Sequence, residues 1–172
     1  ITYGGVVTFL TLYAAECGIA NIGLFFTFYA AALMLIRPLA GMVADRRGPG
    51  PVLVPGLLAA TLAILLLALA RNLPVFLVAA VLYGLGFGAA QPTLQAMAVA
   101  DVAPNRRGAA NGTFFSAFDL GIGLGSTLLG AIARGTGFAG MYAVASLFGL
   151  AGLFVFLFGE KGRKMQKETA GP

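Results

Sequence analysis

Charge in this chain is confined to the ends of long apolar runs, with one exception. Uncharged stretches cover Ile1–Ala15, Cys17–Ile36, Gly48–Ala70, Asn72–Ala100, Gly108–Phe118 with Leu120–Ala133, and Gly135–Gly159. A helix of about 20 apolar residues crosses the hydrocarbon core of a bilayer and satisfies its own backbone hydrogen bonds on the way. Five of the runs reach about that length when interfacial residues are included, and the first starts abruptly at residue 1. The exception is Asp119, which interrupts the fifth run near its middle. The pattern predicts an all-α membrane protein: a bundle of six transmembrane helices carrying one buried acid.

Composition narrows the function. Hydrophobic residues make up 59% and charged residues 10%, against about 25% charged in an average soluble domain. One domain is expected, a six-helix bundle over residues 1–159 followed by a basic cytoplasmic tail over 160–172. No basic stretch precedes the first run, so no cleavable signal pattern is expected. The single cysteine, Cys17, excludes an internal disulfide and a cysteine-rich metal site. Histidine is absent, which removes the commonest metal ligand and general base. Neither a carboxylate pair nor a nucleophile–base arrangement is visible. No metal, no cofactor and no enzymatic activity are expected. The net charge of +5 does not point to nucleic acid, because its location matters more than its sum.

That location sets an expected topology. With six alternating helices, Arg37, Arg46, Arg47, Arg106, Arg107, Lys161, Arg163, Lys164 and Lys167 fall on one side of the membrane. Only Arg71 and Arg134 fall on the other. Basic residues concentrate in cytoplasmic loops, so both ends of the chain are expected in the cytoplasm and Glu16 with Cys17 outside. The basic tail suits a solvated end with some attraction to anionic lipid.

The expected helices are Ile1–Ala15, Asn21–Ala44, Pro51–Ala70, Pro74–Val99, Ala109–Ala133 and Gly137–Gly159. Pro51 and Pro74 suit first turns; Pro38 and Pro92 should kink their helices. The third and sixth helices are nearly free of polar residues. The other four carry most of the hydroxyls, amides and phenols. Polar groups are costly in lipid, so the four should line an interior and the third and sixth should face lipid. This period of three suggests two inverted three-helix repeats.

Three segments stand out. Arg37-Pro38-Leu39-Ala40-Gly41-Met42-Val43-Ala44-Asp45-Arg46-Arg47-Gly48 ends the second helix. Gly41 would let a neighbouring helix approach, Asp45 would accept hydrogen bonds from a helix N-terminus, and Gly48 suits a tight turn. The second is Leu82-Tyr83-Gly84-Leu85-Gly86-Phe87-Gly88 with Gln91-Pro92. The third joins Pro104-Asn105-Arg106-Arg107-Gly108-Ala109-Ala110-Asn111-Gly112 to Phe118-Asp119-Leu120-Gly121-Ile122-Gly123. Gly84-xxx-Gly88 and Gly121-xxx-Gly125 read as small-residue helix contacts, not as a dinucleotide loop, because no strand precedes them.

The first segment resembles the loop signature G-x-x-x-D-R-x-G-R of the major facilitator superfamily, although Pro49 and Gly50 stand where that signature continues. The other two resemble the tenth and eleventh helices of drug and sugar efflux members. The likeness covers essentially the whole chain. It implies that these helices correspond to the seventh to twelfth of a twelve-helix transporter, and that the N-terminal half is not in this chain. It also implies a gating role for Arg37, Gly41, Asp45, Arg46 and Gly48, latching two halves in one state.

Asp119 lies 12 residues past Arg107, roughly 18 Å at ~1.5 Å per residue and past the membrane midpoint. Gly112, Ser116, Gly123 and Ser126 share its face. An intramembrane acid is either a proton- or cation-sensitive site or a structural group bonded to Tyr or Gln side chains. Tyr3, Thr8, Thr11, Tyr29, Gln91, Gln95, Ser116 and Asp119 are the expected cavity lining. Their aromatic and amide mix suits an amphipathic organic solute, and no intramembrane Arg or Lys cluster would clamp a phosphate. The expectation is half of a secondary transporter in a bacterial inner membrane, an efflux antiporter driven by protons. Its partners would be the lipid bilayer, a small-molecule solute, and the missing half or a second copy. The alternative is a non-transporting membrane module that works only by pairing with another bundle.

Overall fold

The computed structural model describes residues 1–169, with side chains described through Gly159. The expected basic tail at 160–172 lies outside the residues described in full. Helix α1 covers Thr2–Glu16, α2 Gly23–Arg47, α3 Gly50–Leu69 and α4 Leu73–Ala100. A 3₁₀ turn at Pro104–Arg106 leads into α5, Arg107–Thr169. Among the described residues every regular element is helical. Four helical stretches are long and apolar enough to cross a membrane: Gly23–Arg47, Gly50–Leu69, Leu73–Ala100 and Pro104–Gly159. The protein is an integral membrane protein.

Local chemistry sets the ends of these helices. Gly48 follows α2 at φ 82°, ψ 174°, a left-handed conformation that a Cβ would strain. Proline occupies the first turns of α3 and α4. The Asn72 side chain caps α4 by accepting the Val75 amide at 3.2 Å, satisfying one of the orphan donors of the first turn. Pro38, Pro55 and Pro92 lie inside their helices.

The expected fifth and sixth helices run together as one element, where separate helices were expected. Its only non-helical backbone among the described residues is Gly137, at φ 72°, ψ 174°. The link is too short to form a loop, so helical hydrogen bonding continues up to both sides of one left-handed glycine. The element still folds back. A Cβ on Gly5 would meet Leu129 Cδ1 at 2.8 Å, while the Tyr142 hydroxyl donates to the Gly5 carbonyl at 3.2 Å. Phe9 lies against both Gly130 and Phe138. Residues on either side of Gly137 therefore meet the same turns of α1. We call 107–136 the first arm and 138–159 the second.

Glycines set the packing of α4. A Cβ at Gly86 would strike the Ala60 amide nitrogen and the Gly56 carbonyl of α3. At Gly88 it would meet Ile36 Cγ2 of α2 at 2.7 Å, and at Gly84 Ala32 Cβ at 2.8 Å. Alternate glycines thus let two helices clasp α4 from opposite flanks. This close approach of backbones is the reason for the Gly84, Gly86, Gly88 spacing. The expected contact at Gly41 is absent: nothing lies within 4 Å of a Cβ there, because that face of α2 is open.

The arrangement of the third span also differs from a simple outer helix. Helix α3 sits between α4 and the second arm, with Leu53, Ala63, Ile64 and Leu67 buried. Its one hydroxyl, Thr61, is buried against Gly149 and donates to the Leu57 carbonyl at 2.7 Å. Its outward stripe, Leu58, Leu62, Leu65 and Leu69, is wholly apolar. Helix α2 is the more exposed, with only Phe25, Ala32 and Ala40 buried. Tyr13, Phe76 and Tyr142 form the core at the far end, where the Tyr13 hydroxyl donates to Ala70 at 2.9 Å. A phenol buried in lipid-depth packing needs such a partner.

Candidate functional site

The site begins on α4. Tyr83, Phe87, Gln91 and Gln95 recur every four residues, so they share one face of the helix. Neighbouring helices add rings to that face. Tyr29 of α2 stacks on Tyr83 at 5.8 Å between centroids, and Tyr83 stacks on Phe87 at 5.8 Å. Tyr3 of α1 stacks on Phe87 at 4.7 Å with an interplanar angle of 11°. Phe118 of α5 lies 5.9 Å from Tyr3 and 6.2 Å from Phe87. Phe114, one turn away, stacks on Phe118 at 6.4 Å. Six rings from four helices form one continuous aromatic seam. Tyr83 is buried, and Tyr3, Tyr29, Phe87, Phe114 and Phe118 are half-buried.

Amides continue the seam toward Arg107. Gln95 donates to Asn111 Oδ1 at 3.3 Å, tying α4 to the first arm. Gln91 and Gln95 also line a cavity of about 390 Å³ with Arg37, Gly41, Asp45 and Thr93. Five of these six residues were expected in separate places, Gln91 and Gln95 as cavity lining and Arg37, Gly41 and Asp45 as a gating loop. The structure puts amides, guanidinium and carboxylate on one wall. Arg46 lines a neighbouring groove with Leu39, Met42 and Arg47. Asp45 is exposed in the last turn of α2, and no hydrogen bond from a helix N-terminus reaches it among the described residues.

The remaining expected residues are not drawn into the seam. Thr8 is exposed and pairs with the Ser126 hydroxyl at 3.2 Å. Thr11 is exposed. Ser116 and Asp119 are exposed on the first arm, and Asp119 makes no hydrogen bond among the described residues. No Tyr or Gln side chain is hydrogen-bonded to Asp119 among the described residues. Gly112 and Gly123 beside it have open space where a Cβ would stand, so nothing covers its face at those two positions. Tyr83, Phe87, Phe114, Phe118 and Asn111 are seam residues that the expected lining left out. Their signal was the four-residue spacing from Tyr83 and Gln91 on α4, and of Phe114 and Phe118 on α5.

The chain is an apolar helical bundle with a polar and aromatic face shared by four helices. Comparison with known proteins gives its family. The family profile described as Major Facilitator Superfamily matches residues 1–172. An uncharacterized MFS-type transporter of Pseudomonas aeruginosa is 35% identical over 153 residues, covering 89% of this chain and 38% of that protein. Uncharacterized MFS-type transporters of Burkholderia mallei and Burkholderia pseudomallei are each 31% identical over 151 residues, covering 88% of this chain and 37% of theirs. The chain belongs to the major facilitator superfamily. It spans 38% or less of the length of these relatives. These relatives are named as transporters.

Proposed function

We propose that this chain is the C-terminal half of a secondary active transporter that exports a small organic solute by alternating access in exchange for protons. The observation that carries the proposal is the aromatic and amide seam. Rings bind the apolar part of an amphipathic solute, and Gln91, Gln95 and Asn111 bind its polar part without demanding a charge. Tyr3, Tyr29, Gln91 and Gln95 lie on or beside the solute path. Ser116 and Asp119 serve the proton, and Thr8 and Thr11 add hydroxyls on α1. Arg37, Gly41, Asp45, Arg46 and Gly48 gate the cytoplasmic end.

In this reading the two arms of α5 are separate crossings, and α1 to the second arm make six spans over residues 1–159, with a basic tail at 160–172. About 84 Å of straight helix, from 56 residues at ~1.5 Å each, exceeds any single crossing. Two inverted repeats are supported by Tyr3-Gly4 and Tyr83-Gly84, whose glycines both stand at close helix crossings. A second six-span bundle, the N-terminal half or another copy, covers the exposed face. The membrane is the bacterial inner membrane, with the basic ends inside.

Everted vesicles containing the protein test the reading. Across a panel of amphipathic solutes, at least one should accumulate under a proton gradient, and Phe87→Ala and Gln91→Ala should each cut that uptake about tenfold, the range of a lost ring contact or polar pair. Uptake unaffected by both substitutions would remove the seam from the path. Orientation has its own test. Cys17, the sole thiol, is half-buried at the end of α1 and should react with a membrane-impermeant maleimide in intact cells. Protection until lysis reverses the topology.

A further inference from the structure

The far end of the bundle carries a second cavity that the solute path does not use. It has a volume of about 580 Å³ and lies between α1 and the α5 hairpin, lined by Phe9, Ser126, Thr127, Gly130, Arg134 and Phe138 among others. We infer that this cavity is a binding site for an amphipathic anion, with the anionic group on Arg134 and the apolar body on Phe9 and Phe138.

Three observations converge on that chemistry. The walls are mostly rings and small residues: Phe9 and Phe138 lie 6.1 Å apart, tilted by 38°. The space exists because residue 130 is glycine, where a Cβ would already come within 3.0 Å of Phe9 Cζ. Among the described residues no carboxylate lines the cavity to hold a cation. The Thr127 hydroxyl donates to the Gly123 carbonyl at 3.0 Å and Ser126 pairs with Thr8 at 3.2 Å. Arg134 is exposed and, among the described residues, makes no hydrogen bond or ion pair. A guanidinium is a fork of donors with no acceptor, so its complement is a carboxylate, sulfonate or phosphate.

Depth favours an amphiphile over a fully soluble ion. Arg134 lies 27 residues beyond Arg107 on a helical arm, roughly 40 Å at ~1.5 Å per residue, about the full thickness of a bilayer with its headgroups. The guanidinium therefore sits at the interface opposite Arg106 and Arg107. Molecules with one charge and an apolar body concentrate there. Two sources supply that chemistry: a soluble organic anion, or the phosphate of a lipid headgroup.

Equilibrium dialysis of 2-naphthoate against the whole protein in phosphatidylcholine nanodiscs, with empty discs subtracted, tests the site. Naphthoate should bind saturably, one per protein. Arg134→Gln should weaken it at least about tenfold, the lower range for one charge-assisted hydrogen bond, and Arg134→Lys should retain part of the affinity. The uncharged 2-naphthamide should bind both forms equally weakly. Unchanged naphthoate affinity in Arg134→Gln, or naphthamide binding as tight as naphthoate, overturns the inference. Repeating the titration with phosphatidylglycerol in the discs separates the sources. Competition identifies a lipid headgroup as the occupant, and unchanged affinity identifies a soluble anion. Either result stands apart from transport, which this assay does not read.

Discussion

Gly86→Val should destabilise the bundle more than any other single glycine substitution in α4. A Cβ at this position meets backbone atoms of α3 alone, the Ala60 nitrogen and the Gly56 carbonyl among them, whereas at Gly84 one of the three nearest atoms is the Ala32 side chain and at Gly88 two are side-chain atoms. Backbone cannot rotate away, so α3 and α4 must separate along their crossing. Overpacking of this kind costs on the order of 3 kcal/mol. Separation also exposes the Thr61–Gly149 contact through which α3 holds the second arm. Gly152 provides the control, since nothing lies within 4 Å of a Cβ there. Gly152→Val should stay within about 0.5 kcal/mol of the wild type, as surface changes do. Thermal unfolding in mild detergent, followed by circular dichroism, compares the two. Equal melting temperatures for both variants would show that α4 is not held through its glycines.

Asp119→Asn should leave the protein folded and able to bind solute, yet abolish solute-driven proton movement. The substitution keeps size and removes only the titrating proton. Because Asp119 makes no hydrogen bond among the described residues, its replacement strands no buried partner, and stability should change by less than about 0.5 kcal/mol. An acid exposed at membrane depth without a structural bond is costly unless it serves a charge-moving step. A pH-sensitive dye in vesicles reads the proton flux, and solute binding is measured on the same preparation. Full proton flux in the variant would remove Asp119 from the coupling step and leave that step to another part of the protein.

Much of the fold was legible because charge and proline mark helix ends. The first four helices begin and end within three residues of their expected positions, set by Glu16, Arg46 with Arg47, Arg71 and Asp101. The merger of the fifth and sixth was not legible, since Arg134-Gly135-Thr136-Gly137 looks like a loop and only backbone geometry reveals that helix resumes at once. The site was half legible. Gln91, Gln95, Tyr3 and Tyr29 stand out as polar groups in apolar runs. Phe87, Phe114 and Phe118 do not, because phenylalanine in such a run looks like any lipid-facing residue until a neighbouring ring is placed on it. The opposite error fell on Gly41, where a small residue suggested a close crossing that the open face of α2 does not make.

The seam of rings has a mechanical corollary. At its glycines helix α4 meets α2 and α3 spine to spine, whereas it meets the first arm of α5 through flat rings and, among the described residues, an amide pair. Stacked discs glide past one another cheaply; interlocked backbones do not. The fault line of this bundle therefore runs through the same surface that faces a solute, so a molecule wedged among those discs presses directly on the joint that has most freedom to give.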